Sequence, residues 1–170
     1  MMKAEETIFI MTGSIPNKRS TPLVDEWFGL VYEGGAFKGS MSMNEVLKKT
    51  NLRSANIPNS NALTEDDVRK TSELLPDVVE RAKEYLYGYF QQYEIRMNPL
   101  LDEELDKLAE LESRHKDYQL SLFENEQKKS EQERMVDELF EKFINWVTDT
   151  LTIQNNPYIR IVAVLKGVAR

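Results

Sequence analysis

From Val78 to Leu122, mostly apolar side chains recur at positions 78, 82, 86, 89, 93, 97, 101, 105, 108, 111, 115, 118 and 122, in steps of three and four. His115 is the polar exception. Such spacing draws one stripe along an α-helix, close to a heptad seam. Taken as continuous, residues 76–122 would make a rod of about 70 Å at 1.5 Å per residue. A stripe of that length must be covered, and a second segment offers the cover. Met135, Val136, Leu139, Phe140, Phe143, Ile144, Trp146, Val147 and Leu151 form a wide apolar face at the same spacing. Two such helices joined by the polar run 121–133 predict an antiparallel, coiled-coil-like hairpin. Within the first, Asn98-Pro99 followed by Asp102, Glu103 and Glu104 predicts a kink or a fresh helix start. Ser130 with Glu133 predicts the cap of the second helix.

The flanking segments have strand character. TIFIMT (residues 7–12) is β-rich and is followed by turn-prone GSIPNKRSTP. Trp27, Phe28, Leu30, Val31 and Tyr32 suit a pleated surface, and Gly34-Gly35 is a two-residue hairpin signal. Met43 to Thr50 has helical spacing, and NLRSANIPNSN (51–61) reads as a loop. Thr64 with Asp67 is a capping-box-like helix start. Asn155-Asn156-Pro157 stops the last helix, and YIRIVAVLKG reads as a buried strand that must pair with the N-terminal sheet. The expected fold is α+β, a small and mostly antiparallel sheet closed by the C-terminal strand, with a long projecting antiparallel helical hairpin. One structural unit results, with a β-rich part over 1–63, the hairpin over 64–156 and the completing strand over 157–170.

Composition narrows the function classes. The chain has 170 residues, 41% hydrophobic and 30% charged, an ordinary globular balance. It lacks cysteine, which excludes disulfides and thiolate metal sites, and its single histidine excludes a multi-histidine site. No apolar run approaches the ~20 residues that cross a bilayer, and the start does not resemble a signal peptide, so a cytoplasmic protein without membrane contact is expected. Net charge is −7, distributed as +1 over residues 1–63 (seven basic, six acidic), −11 over 64–156 (12 basic, 23 acidic) and +3 over the last 14 residues. An acidic middle is a poor surface for phosphate binding, so any contact with duplex DNA is expected to be weak and at the two ends. Lys18, Arg19, Lys48, Lys49 and Arg53 are the candidates for it.

Other candidate sites have plainer explanations. In PLVDEWFGLV, Asp25-Glu26 after an apolar run has the look of a motor ATPase's acidic pair. A motor also needs a GxxxxGK loop followed by Ser or Thr to cradle phosphates, and GGAFKGS (34–40) lacks that spacing. No ATP hydrolysis is expected of this chain, and no catalytic, cofactor-binding or metal-ligating residue is assigned. Glu103, Glu104, Asp106, Glu110 and Glu112 could suggest a carboxylate metal cluster, but only one Glu-x-x-His motif exists, Glu112 with His115. These charges read instead as a solvated face, with Glu103 and Lys107 an i,i+4 pair. His115 reads as a register-setting, core or partly exposed residue. The aromatic run Tyr85–Tyr93 could stack bases, but its helical spacing reads as packing.

Two stretches carry a family resemblance. IFIMTGSIPNKRSTPLVDEWFGLVYEGGAF (8–37) and FEKFINWVTDTLTIQNNPYIRIVAVLKG (140–167) resemble the C-terminal accessory region of bacterial SNF2-type helicase-like ATPases. The matching positions are Pro16, Asn17, Asp25, Glu26, Trp27, Trp146, Pro157 and Tyr158. The resemblance implies a non-catalytic module that braces a motor or docks a partner. Its partners would be the motor lobes of a parent ATPase, and only that parent would bind ATP and magnesium. The alternative is a stand-alone coiled-coil module for protein interaction or oligomerisation.

Overall fold

A computed structural model describes residues 2–53, 64–122 and 124–167. In chain order the elements are β1 (Glu6–Pro16), β2 (Pro22–Glu33), β3 (Ala36–Ser42), α1 (Met43–Thr50), α2 (Glu65–Glu73), α3 (Leu75–Ser121), α4 (Glu126–Leu151) and β4 (Tyr158–Lys166). The chain divides into two units. The first comprises Met1–Ile15, Pro22–Phe90 and Asn155–Arg170; the second comprises Pro16–Thr21 and Gln91–Gln154.

The first unit holds an antiparallel sheet of four strands in the order β3-β2-β1-β4. Gly34 and Gly35 turn the β2–β3 hairpin with φ of 59° and 82°, the left-handed backbone that two-residue turns of this hand require. β4 pairs antiparallel with β1 from Thr7↔Lys166 to Ser14↔Tyr158, with a bulge between Ile10 and Met11. The C-terminal strand therefore joins the N-terminal sheet, but it does not close it. β3 and β4 are the two edges, and four strands are far too few to curl into a barrel, which takes about eight.

Alternation along the inner strands explains how both faces of this sheet are covered. Ile8, Ile10 and Val31 cluster on one face with Val46 of α1. On the other face, Phe28 stacks on Tyr85 of α3 at 4.3 Å between ring centroids, and the Tyr32 hydroxyl donates to Asp77 at 2.7 Å. Burial, with that hydrogen bond, pushes the Tyr32 hydroxyl well above its ordinary pKa. Val78, Ala82 and Leu86, one face of the first turns of α3, are wholly buried. Thus the aromatic run beginning at Tyr85 packs against the sheet at its first member, as its spacing suggests.

Helix ends follow local chemistry. Thr64 and Asp67 form the expected capping box of α2, and Ser42 with Glu45 forms another on α1. α4 begins earlier than Ser130 suggests, because Asn125 already accepts the Gln127 amide at 2.9 Å. Asn98-Pro99 starts no new helix: Pro99 lies inside α3. Proline there leaves the Ile95 carbonyl without its helical donor, and Ile95 is exposed enough for water to replace it. The expected loop over 51–61 lies for the most part outside the described residues.

Two predictions follow from this unit. An ideal Cβ on Gly29 would sit 2.4 Å from Val46 Cγ2. Gly29→Ala should therefore cost about 1–3 kcal/mol by overpacking, and adding Val46→Ala should recover part of that loss in urea unfolding. Second, Lys166 and the backbone and hydroxyl of Thr64 hold the Asp67 carboxyl well below the usual carboxylate range. A depressed folded-state pKa stabilises above the unfolded value, about 3.9, and loses that effect as pH falls through it. Wild type should exceed Asp67→Asn in stability at neutral pH, and the gap should narrow in unfolding curves below about pH 4.

Candidate functional site

Within the second unit, α3 and α4 meet at three described points. The Tyr93 hydroxyl donates to the Leu151 carbonyl at 3.2 Å, Lys116 pairs with Asp137, and the His115 and Phe140 rings lie 6.2 Å apart. The half-buried line on α3 runs through Leu101, Leu105 and Leu108, then through Glu112 and Lys116. The apolar stripe leaves that line. At 100° per residue, the successive three-residue steps from Leu105 to Leu108 to Leu111 carry it about 120° backwards around the helix. Leu111, Tyr118 and Leu122 are consequently exposed, together with Leu100. The four lie within about 40° of one another around α3.

α4 splits in the same way. Val136 is buried and Phe140, Ile144 and Val147 are half-buried, whereas Met135, Leu139, Phe143 and Trp146 are exposed. Those four lie within about 80° of one another around α4. Across both helices the eight outward residues are 47–64% exposed. Each helix thus presents four large apolar side chains along one side to solvent. The expectation that each stripe is wholly covered fails here, and the step lengths after Leu105 were the signal that could have shown it.

The second notable feature of this unit is Asn17, 1% exposed. Its Oδ1 accepts from the Arg19 and Thr21 amides at 2.9 and 2.8 Å, and its Nδ2 donates to the Thr150 carbonyl at 2.8 Å. Asn17 also forms a β-bridge with Ile153, and the Pro16 carbonyl accepts from the Gln154 amide at 2.8 Å. The two stretches that carry the family resemblance thus meet twice, here and in the β1–β4 pairing. Pro16 and Asn17 have a structural role. Trp27, Trp146 and Tyr158 are exposed, and Pro157 is half-buried.

The five basic candidates fall in both units. Lys18 pairs with Asp149 at 3.5 Å in the second, beside exposed Arg19. In the first, Lys49 pairs with buried Glu6 rather than facing solvent as a free charge. Lys48 and Arg53 are exposed, and no ion pair among the described residues engages them or Arg19. Asp25 and Glu26 are successive residues of β2, so their side chains leave opposite faces and cannot converge on one ion.

The carboxylates of α3 are spread over ion pairs. Lys107 reaches Glu103 and Glu104 at 2.9 and 2.8 Å, Arg114 pairs with Glu110, and Lys116 reaches Glu112 at 2.8 Å. Glu104 and Glu103 hold the Lys107 ammonium, and Asp137 with Glu112 the Lys116 ammonium, well above the usual lysine range. Among the described residues no group of three or more His, Asp or Glu side chains could hold a metal ion, and no helix is long and apolar enough to cross a membrane. Three open hollows of about 480, 410 and 290 Å³ lie in the first unit. The largest is lined by Lys70, Thr71, Glu73 and Lys166 beside backbone of the Gly34-Gly35 turn.

No protein-family model, curated protein or solved structure matches this chain. The resemblance to SNF2-type accessory regions therefore rests on the two quoted stretches alone.

Removing the Asn17 side chain would strand two amides and a carbonyl. Asn17→Ala should lower stability by about 2–3 kcal/mol and speed hydrogen exchange at Arg19 and Thr21. Wild-type exchange at both amides would refute this account of Asn17.

Proposed function

We propose that this chain is a non-catalytic protein-docking module whose working surface is the apolar face of α3 and α4. In this reading the two helices form an antiparallel hairpin. The contacts Tyr93–Leu151 and Lys116–Asp137 support that direction, because residue numbers fall along α4 as they rise along α3. Each outward stripe sits about 100° behind its helix's half-buried line, counted along the sequence. Antiparallel helices turn in opposite senses when seen from one end, so equal displacements emerge on the same side. Leu100, Leu111 and Tyr118 then adjoin Trp146, Phe143 and Met135 in a single face.

That face carries the proposal. Monomers seldom expose an apolar patch beyond about 300–600 Å² unless it is used. Aromatic residues and methionine, present here in Tyr118, Phe143, Trp146 and Met135, are the types enriched where proteins meet. The resemblance supplies the finer proposal, that the module is accessory to an SNF2-type motor on duplex DNA. ATP and magnesium would belong to that parent, and Arg19, Lys48 and Arg53 would add at most weak phosphate contact.

Two measurements test these levels separately. Phe143→Glu and Trp146→Glu, unfolded at low micromolar concentration, should stay within about 0.5 kcal/mol of wild type as surface substitutions do. A loss of about 3 kcal/mol, typical of a core aromatic, would make the stripe core and remove the docking reading. For the motor, the reading frame upstream of Met1 in the source DNA should run through a nucleotide-binding loop and helicase motifs. A stop codon immediately upstream would favour the stand-alone interaction module.

A further inference from the structure

We infer that the occupant of this face is a second copy of the same chain, packed face to face about a two-fold axis so that two helix pairs make a four-helix bundle. The inference rests on the docking reading above and names its partner.

Area is the first argument. Aromatic side chains present roughly 150–250 Å² each when free, and leucine and methionine somewhat less. The eight outward residues, at roughly half exposure, therefore offer on the order of 700–800 Å². A stable, specific interface needs about 800 Å² per partner. A lone docked helix would cover one groove between α3 and α4 and leave much of a two-helix face wet. A second two-helix face matches it in width and length, and a pair of antiparallel helices is half of a four-helix bundle.

Charge is the second argument. Residues 64–156 carry a balance of −11, with 12 basic and 23 acidic, and two such surfaces would ordinarily repel. The positions three or four residues from the stripes break this pattern. They hold both signs, with Arg96, Lys107, Arg114 and Lys142 against Glu103, Glu104, Glu126, Glu131, Glu138 and Asp149, a ratio nearer to even than that of the segment as a whole. In a two-fold contact each patch meets its own copy, so a self-complementary rim must carry both signs. A strongly acidic partner would be repelled here. Phe143 and Trp146 on α4 and Tyr118 on α3 supply aromatic anchors of the kind that dominate such interfaces.

The test is the mass of the intact chain by sedimentation equilibrium from about 1 to about 200 µM, a range spanning weak to firm dimers of this size. Wild type should rise from 19.8 kDa towards twice that mass. Phe143→Glu and Leu111→Glu, one on each helix and each checked for native circular dichroism, should stay monomeric. Asp117→Arg, on the polar side of α3, should still dimerise. A wild type that stays monomeric throughout overturns the inference, as does a folded Phe143→Glu or Leu111→Glu that dimerises as wild type does. Monomeric wild type with unperturbed stability in the Glu variants would leave the docking face intact and assign it a different partner.

Discussion

Strands from opposite ends of the chain hold the first unit together. Thr7 to Ser14 and Tyr158 to Lys166 exchange backbone hydrogen bonds along the whole of β4, and that pairing makes β1 an inner strand. Its two faces then require cover on both sides, which α1 and the first turns of α3 provide. β1 ends at Pro16 and Asn17 follows it, where the buried amide side chain holds the turn at 17–21 and the Thr150 carbonyl. Ladder and amide knot are both polar interactions, and the knot at Asn17 lies where water is excluded. A partner lost at Asn17 therefore costs the full desolvation of what remains.

Much of this was legible because it is local. Gly34-Gly35 named its own turn, Thr64 and Asp67 named a helix start, and the β-branched run after Pro157 named a strand. Features that depend on competition were less readable. Asn125 caps α4 ahead of Ser130 because either residue can cap and the polar stretch between them is content as helix. Pro99 sits inside α3 because one missing hydrogen bond, exposed to water, costs less than ending a long helix. Sheet closure failed on a count of strands. The resemblance quoted Asn17 without a reason, which only its burial supplies.

The most consequential misreading concerned the stripes. Apolar spacing at threes and fours says that a helix has a face, but the order of those steps decides where the face points. Two short steps in a row after Leu105 turn Leu111, Tyr118 and Leu122 away from the line that Glu112 and Lys116 continue. α4 is apolar over an arc too wide for one neighbour, so Phe143 and Trp146 remain outside it. The docking role proposed above rests on this surplus of exposed apolar surface.

Hydroxyl-radical footprinting of the intact chain, read residue by residue at low and high protein concentration, tests the central claim most directly. Met135, Phe143, Trp146 and Tyr118 should all be oxidised rapidly in dilute solution and become protected together as concentration rises, while Val136, Phe28 and Leu86 stay protected throughout. Protection of the four outward residues in dilute solution would show that their stripes are already covered within one chain, and would contradict the account.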